Sequence, residues 1–302
     1  MASTREISER IKSVQDTRKI TNAMYMISST KLNRAKREME GNAPYFAEMQ
    51  SILLSMVESS PYMEHKFIDA REDKERSERT NGVLVITGDK GLCGAYNHNV
   101  CKLVESTFAN REESLRLYVV GEVGRQYFVH KGIKIAGSFR YTAQNPTLYR
   151  ARGITNTLID EFLSGKVDDV SIVYTAMPKP MVTQACVMHL LPLVKEEVLG
   201  RISDDIEVKE ELNFIPDAGS VLTNIVPDVL MGFVYSALVD SFCSEQNDRM
   251  MAMNNANSNA DEMLRDLSVQ YNRQRQAKIT SEITEVAAGA KAQKNKAVIK
   301  DE

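Results

Sequence analysis

The last proline is Pro227, and the 75 residues after it hold only two glycines, Gly232 and Gly289. A stretch this long, free of proline, poor in glycine and rich in Ala, Met, Arg and Gln, reads as helix. The other end behaves alike: the first glycine is Gly41 and the first proline Pro44. A helix of about 70 residues is about 105 Å long. A compact chain of 302 residues has a radius of gyration of about 19 Å. The C-terminal helix is therefore expected to leave the body of the protein, unless it breaks at the cluster Asn254, Asn255, Asn257 and Asn259. One amphipathic helix in water is not stable alone. Its natural cover is the other long helix, from Ser3 to about Ser59.

The apolar pattern supports such a pair. Ile7, Ile11 and Val14 step by four and three, as do Ile20, Met24 and Ile27. Ala260, Met263 or Leu264, Leu267 and Tyr271 continue into Ile279, Ile283, Val286 and Ala290. These are coiled-coil-like seams, interrupted by Arg18, Lys31 and the asparagines.

The middle has a different period. The expected strands are Gly82–Thr87, Leu115–Val120, Val170–Thr175 and Thr183–Leu191. Helical stretches are expected from Tyr96 to Ala109, from Gly121 to His130 and over residues 147–163. Strands alternating with helices imply βαβ units and a mostly parallel sheet. The expected fold class is thus α/β: a long antiparallel coiled coil of the N- and C-terminal helices, with an inserted Rossmann-like α/β domain. Residues 1–60 form the first helix, 61–81 a charged linker and 82–195 the α/β domain. Residues 196–217 form a return loop, and 218–302 the second helix with a charged tail.

Charge is divided unevenly. The chain carries −3 overall, yet residues 1–40 carry +4 and residues 270–302 carry +3, which leaves −10 between them. Basic ends on an acidic body suggest that the ends share a partner with acidic surface. Hydrophobic residues make up 43%, which excludes disorder as a class. The longest nearly apolar run, Val229–Val239, is too short for a bilayer span and reads as a buried segment. The charged N-terminus reads as neither secretory signal nor transit peptide. Cys93, Cys101, Cys186 and Cys243 form no C-x-x-C pair and read as reduced cytosolic thiols. No metal site is expected, and with no Trp a nucleic-acid stacking platform is not expected either. His65, His98, His130 and His189 are scattered, so no catalytic residue is assigned.

One motif invites chemistry. Gly88-Asp-Lys-Gly91-Leu-Cys-Gly94 follows the first strand and opens a helix, where a phosphate-binding loop would sit. Its G-x-x-G-x-x-G spacing fits neither standard nucleotide loop, and Gly121 stands where an acid would hold a ribose. It reads as a tight βα turn, with no cofactor expected. The competing readings are a nucleotide-binding enzyme with a helical arm, and a coiled-coil adaptor or nucleic-acid protein.

Both ends and the middle resemble one family in order. Arg5-Glu-Ile-Ser-Glu-Arg-Ile-Lys-Ser-Val-Gln-Asp-Thr-Arg-Lys-Ile-Thr-Asn-Ala-Met24, continued by Ile27–Ala35, is similar to the N-terminal helix of F-type ATP synthase gamma subunits. Thr87–Gly94 resembles that family's middle-domain turn. Ser244–Met253 and Tyr271–Glu285 resemble its C-terminal helix. The resemblance implies a central-stalk rotor, with no bond chemistry of its own. Its coiled coil would turn inside a hexamer of alpha and beta subunits, and its foot, with the epsilon subunit, would meet the membrane c-ring. It implies hexamer contacts at Met24, Arg18, Lys19, Arg249, Gln276, Thr280 and Glu282. It implies a smooth bearing tip at Val286, Ala287, Ala288, Gly289 and Ala290, and a ring-proximal loop at Phe214, Pro216 and Asp217. Asn22 and Ala288 depart from the expected Lys and Gly, and the paired-cysteine insertion of the chloroplast redox switch is absent, so thiol regulation is not expected. The expected place is the cytoplasmic face of a bacterial membrane, peripheral to it.

Overall fold

The computed structural model describes residues 3–59, 65–68, 74, 78–109, 114–140, 143–179, 181–193 and 217–298. Side chains are described to Met56 in the first of these segments and to Ala290 in the last. The elements are α1 (Thr4–Ser59), β1 (Asn81–Ile86), α2 (Tyr96–Phe108), β2 (Leu115–Val120) and α3 (Glu122–His130). They continue as β3 (Ile135–Phe139), α4 (Leu148–Leu163), β4 (Asp169–Lys179), β5 (Val182–Leu191) and α5 (Ala218–Val298). The chain divides into two compact units, residues 1–26 with 252–302, and residues 27–251.

Both long helices begin at sequence-encoded caps. Ser3 and Glu6 form a reciprocal box: Glu6 N donates to Ser3 Oγ at 3.3 Å, and Ser3 N donates to Glu6 Oε2 at 2.8 Å. Asp217 caps α5, with Oδ1 accepting from Ser220 N at 2.9 Å. Gly41 and Pro44 do not end α1, because burial of Phe46, Leu53, Leu54 and Met56 holds the helix past them. Pro227 likewise lies inside α5, and the asparagine cluster does not break that helix.

The sheet order is β3-β2-β1-β4-β5, parallel except for β5, which runs antiparallel to β4. Strand alternation divides the core in two. Val83, Val85, Leu117 and Val119 pack under α2 and α3 with Val100, Val104 and Phe128. Leu84, Ile86, Tyr118, Val120 and Ile172 face the other way and pack with Ile154 and Leu158 of α4 and with Val234 and Leu238 of α5. The expected strands and helices of this domain are present. The short edge strand β3, with the sequence Ile-Ala-Gly-Ser-Phe, is an addition. One window of α5 has the length and hydropathy of a membrane span. Its Val229, Leu230, Val234, Leu238 and Val239 are spent on this core.

Two described residues of the linker are tied to the rest of the chain. Phe67 is buried and accepts Leu193 N through its carbonyl at 2.7 Å. Lys74 meets the buried Asp168 at 2.9 Å.

Candidate functional site: the helix pair and the βα turn

In the first unit α1 and α5 run antiparallel. Thr21 Oγ1 donates to Asn257 Oδ1 at 2.5 Å, and Arg18 meets Asp261 at 3.0 Å. Ile7 and Leu267 are buried, and Ile11, Val14, Thr21, Met24, Leu264 and Tyr271 half-buried. The seam therefore departs from the expected stripe. A strict 3.5-residue repeat from Ile7 brings Thr21 and then Ser28 inward, leaving Ile20 62% and Ile27 55% exposed. Two of the covered positions in this stretch of α1, Thr21 and Ser28, are polar, while Ile20 and Ile27 beside them are exposed. On α5, Leu264 faces inward and Met263 is exposed.

Beyond Gln274 the pair ends. Every side chain from Arg275 to Ala290 is exposed, including Ile279, Ile283 and Val286, the last at 73%. The expectation that α1 covers this stripe is not met, since α1 starts only at Thr4. Gln276, Thr280 and Glu282 lie on this bare helix. Thr280 Oγ1 donates back to Gln276 O at 2.9 Å, and Lys278 stands 3.8 Å from Glu282. Val286, Ala287, Ala288, Gly289 and Ala290 are all exposed, and a Cβ on Gly289 would meet nothing within 4 Å. Lys19 is exposed and pairs with Asp16 at 2.9 Å. Phe214 and Pro216 lie outside the described residues; Asp217 is the α5 cap, its carboxyl held below the usual range by the hydrogen bonds from Ser220.

The Gly88–Gly94 turn lies in the other unit, and several of its polar groups are used internally. Gly88 N donates to Asn97 Oδ1 at 2.8 Å. The first amides of α3 are also occupied: Glu122 N by Asp89 Oδ1 at 3.0 Å, Val123 N by Gly88 O at 3.1 Å and Gly124 N by Thr87 Oγ1 at 3.0 Å. Amides at such positions form the usual phosphate cradle, and here an aspartate and a threonine stand in the anion's place. The turn that the sequence presents as a tight βα connection is built as one. Arg249, expected as a hexamer contact, is instead only 8% exposed and bonded within the chain. Its Nη2 donates to Glu245 Oε1 at 2.5 Å, to Gly91 O at 3.1 Å and to Lys90 O at 3.4 Å. Burial pushes the Glu245 carboxyl up, with Arg249 pulling it back. No sequence signal beyond the i,i+4 spacing of an acid and a base pointed to this pair. Among the described residues no group of three His, Cys, Asp or Glu side chains is placed to hold a metal ion.

A family model described as ATP synthase matches residues 3–293. The ATP synthase gamma chain of Ruminiclostridium cellulolyticum is 40% identical over 292 residues, covering 95% of this chain and 98% of that one. The chain belongs to the ATP synthase gamma chain family. Another gamma chain, that of Acetobacterium woodii, described as sodium ion specific, is 36% identical over 300 residues and covers 95% of this chain and 97% of its own. The fold is shared by a chain in the cryo-EM structure of the Euglena gracilis mitochondrial ATP synthase, in its OSCP/F1/c-ring part, which superposes with a TM-score of 0.65 at 14% identity. That match covers 96% of this chain and 94% of the other. A central stalk/c-ring chain of the Tetrahymena thermophila mitochondrial enzyme gives a TM-score of 0.59 at 23% identity, over 78% of this chain and 99% of that one. As a gamma chain, the protein is a non-catalytic subunit of a membrane-associated ATP synthase.

Proposed function

We propose that the chain is the rotating central stalk of an F-type ATP synthase. It couples ion-driven turning of a membrane c-ring to the cycling of three catalytic beta sites, and it runs in reverse on hydrolysis. The observation that carries this reading is the bare end of α5. A helix partnered over residues 253–274 continues alone through Arg275–Ala290, with an apolar stripe facing out. Such a stripe needs a cover supplied by another chain. A sleeve of alpha and beta subunits provides it. The small side chains Ala287, Ala288, Gly289 and Ala290 suit a contact that must slide.

In this reading Gln276, Thr280 and Glu282 on α5, and Met24, Arg18 and Lys19 on α1, face the hexamer. The basic chain ends attract acidic loops on the beta subunits. Exposed ion pairs are worth about 0–1 kcal/mol each, so they are broken and remade at each step at little cost. The loop around Phe214, Pro216 and Asp217 approaches the c-ring together with the epsilon subunit. The complex sits at the cytoplasmic face of a bacterial membrane.

The test is ATPase turnover of the cognate alpha and beta subunits with and without this chain. One copy per hexamer, with sustained turnover dependent on it, is the expected result. A chain that neither joins the hexamer nor changes turnover overturns the reading.

A further inference from the structure

Five polar residues on α5 share one face: Ser241, Ser244, Glu245, Asp248 and Arg249, spaced three, one, three and one. Ser241, Ser244, Glu245 and Arg249 are buried, and Asp248 half-buried. A buried helix face is ordinarily apolar, and these side chains instead reach three separate segments of the α/β domain. Thr175 N, in β4, donates to Ser241 Oγ at 3.3 Å, and Ser244 Oγ donates to Thr175 O at 3.2 Å. Thr183 Oγ1, in β5, donates to Asp248 Oδ1 at 3.0 Å. Arg249 donates to the carbonyls of Lys90 and Gly91 in the turn after β1, and Glu245 holds the guanidinium in place. Gly88 makes room, since a Cβ there would come within 3.1 Å of the Glu245 carboxyl carbon.

We propose that this face is the torque joint of the rotor, with Glu245 and Arg249 as the positioning residues that lock the Gly88–Gly94 turn to α5. Packed apolar surfaces resist separation but have no direction, whereas hydrogen bonds to main-chain groups lose strength steeply with misalignment. Shear between the helix and the domain would break bonds at three separate segments at once and leave buried groups unpaired. The turn is held on its far side as well, through Asp89 to Glu122 N and Gly88 O to Val123 N. Force entering the α/β domain therefore reaches the helix through a stiff bridge. This assigns Arg249 a role inside the chain, and gives the glycine-rich turn a purpose that needs no nucleotide. The inference rests on the rotor reading above.

The experiment uses the complete ATP synthase in liposomes. ATP hydrolysis and ATP-driven charge uptake, read by a membrane-potential dye, are measured together, with hydrogen exchange of residues 88–94 in the same complex. Arg249→Met and Gly88→Val are expected to lower charge uptake per ATP hydrolysed about threefold or more. Arg249→Met is expected to speed exchange of the turn about tenfold, and Arg249→Lys, which still donates to carbonyls, to recover part of both. If these variants fail to assemble, Ser244→Ala with Thr183→Val removes two bonds without disturbing the ion pair and should lower the ratio in the same direction. Unchanged exchange in Arg249→Met overturns the lock. Faster exchange with an unchanged uptake ratio overturns the torque role. A native complex that pumps nothing refutes the rotor reading instead, and the exchange result still decides the lock.

Discussion

Asp89 Oδ1 accepts the backbone N–H of Glu122 at 3.0 Å and so supplies the negative end that the N-terminus of α3 attracts. Asp89→Ala leaves that amide without its acceptor. The expected loss is about 1 kcal/mol, the usual worth of an N-terminal cap. Urea unfolding of the isolated chain reads it as a lower midpoint with an unchanged slope.

Gly121 has φ +94°, and a Cβ there would stand 2.2 Å from Thr87 O. Gly121→Ala is expected to cost at least about 3 kcal/mol, because neither the backbone nor the carbonyl can give way. In α4 a Cβ on Gly153 meets nothing within 4 Å. Gly153→Ala should therefore stabilise by about 0.5–1 kcal/mol. Soluble yield and melting temperature of the two variants should move in opposite directions.

The Thr21–Asn257 hydrogen bond fixes one register of the helix pair. Replacing both partners, Thr21→Val with Asn257→Leu, is expected to raise the melting temperature, because no donor or acceptor is left stranded. Asn257→Leu alone leaves the threonine hydroxyl without its cross-helix partner and should stabilise less. A double-mutant cycle measured by thermal melts separates the two.

Burial raises the Asp240 carboxyl to about 6. The folded chain thus binds this proton more tightly than the unfolded chain does, so stability falls as pH rises from about 4 to about 6 and stays lowered above that. A shift of about two pH units corresponds to about 3 kcal/mol. Asp240→Asn should gain up to that amount at pH 8 and almost nothing at pH 4. Equal effects at both pH values would sink this assignment.

Deleting Val286–Glu302 removes the proposed bearing tip, whose described side chains, Val286 to Ala290, are all exposed. Assembly with alpha and beta subunits is expected to survive, with a lower torque in single-molecule rotation. Loss of assembly would show that these residues carry binding energy and do not act as a bearing.

Length and punctuation made the long helices legible, and apolar runs such as Gly82-Val-Leu-Val-Ile marked the strands. The strand β3 stayed hidden because Ala136, Gly137 and Ser138 carry almost no β preference. Pairing with β2 forms it. Ile20 and Ile27 depart from the seam their spacing predicts, because hydrophobicity alone does not distinguish a residue facing its partner helix from one left bare. Arg249 was visible as a charged residue on a helix, but not its neighbours, since Lys90 and Gly91 lie 159 and 158 positions away. Contacts to main-chain carbonyls leave no trace in side-chain identity.

The hydrogen bond from Thr21 to Asn257 spans 236 positions. At a ribosomal pace of about 5–20 residues per second, the α1 seam waits on the order of 10–50 s for its other half. Ile7, Ile11 and Val14 emerge long before the α5 residues that cover them. During that interval the α/β domain can complete its own core, and the N-terminal helix is the segment a chaperone would have to shelter. Translation order thus makes the shaft the final part of this subunit to form, and a truncated nascent chain would carry a folded middle on an uncovered stalk.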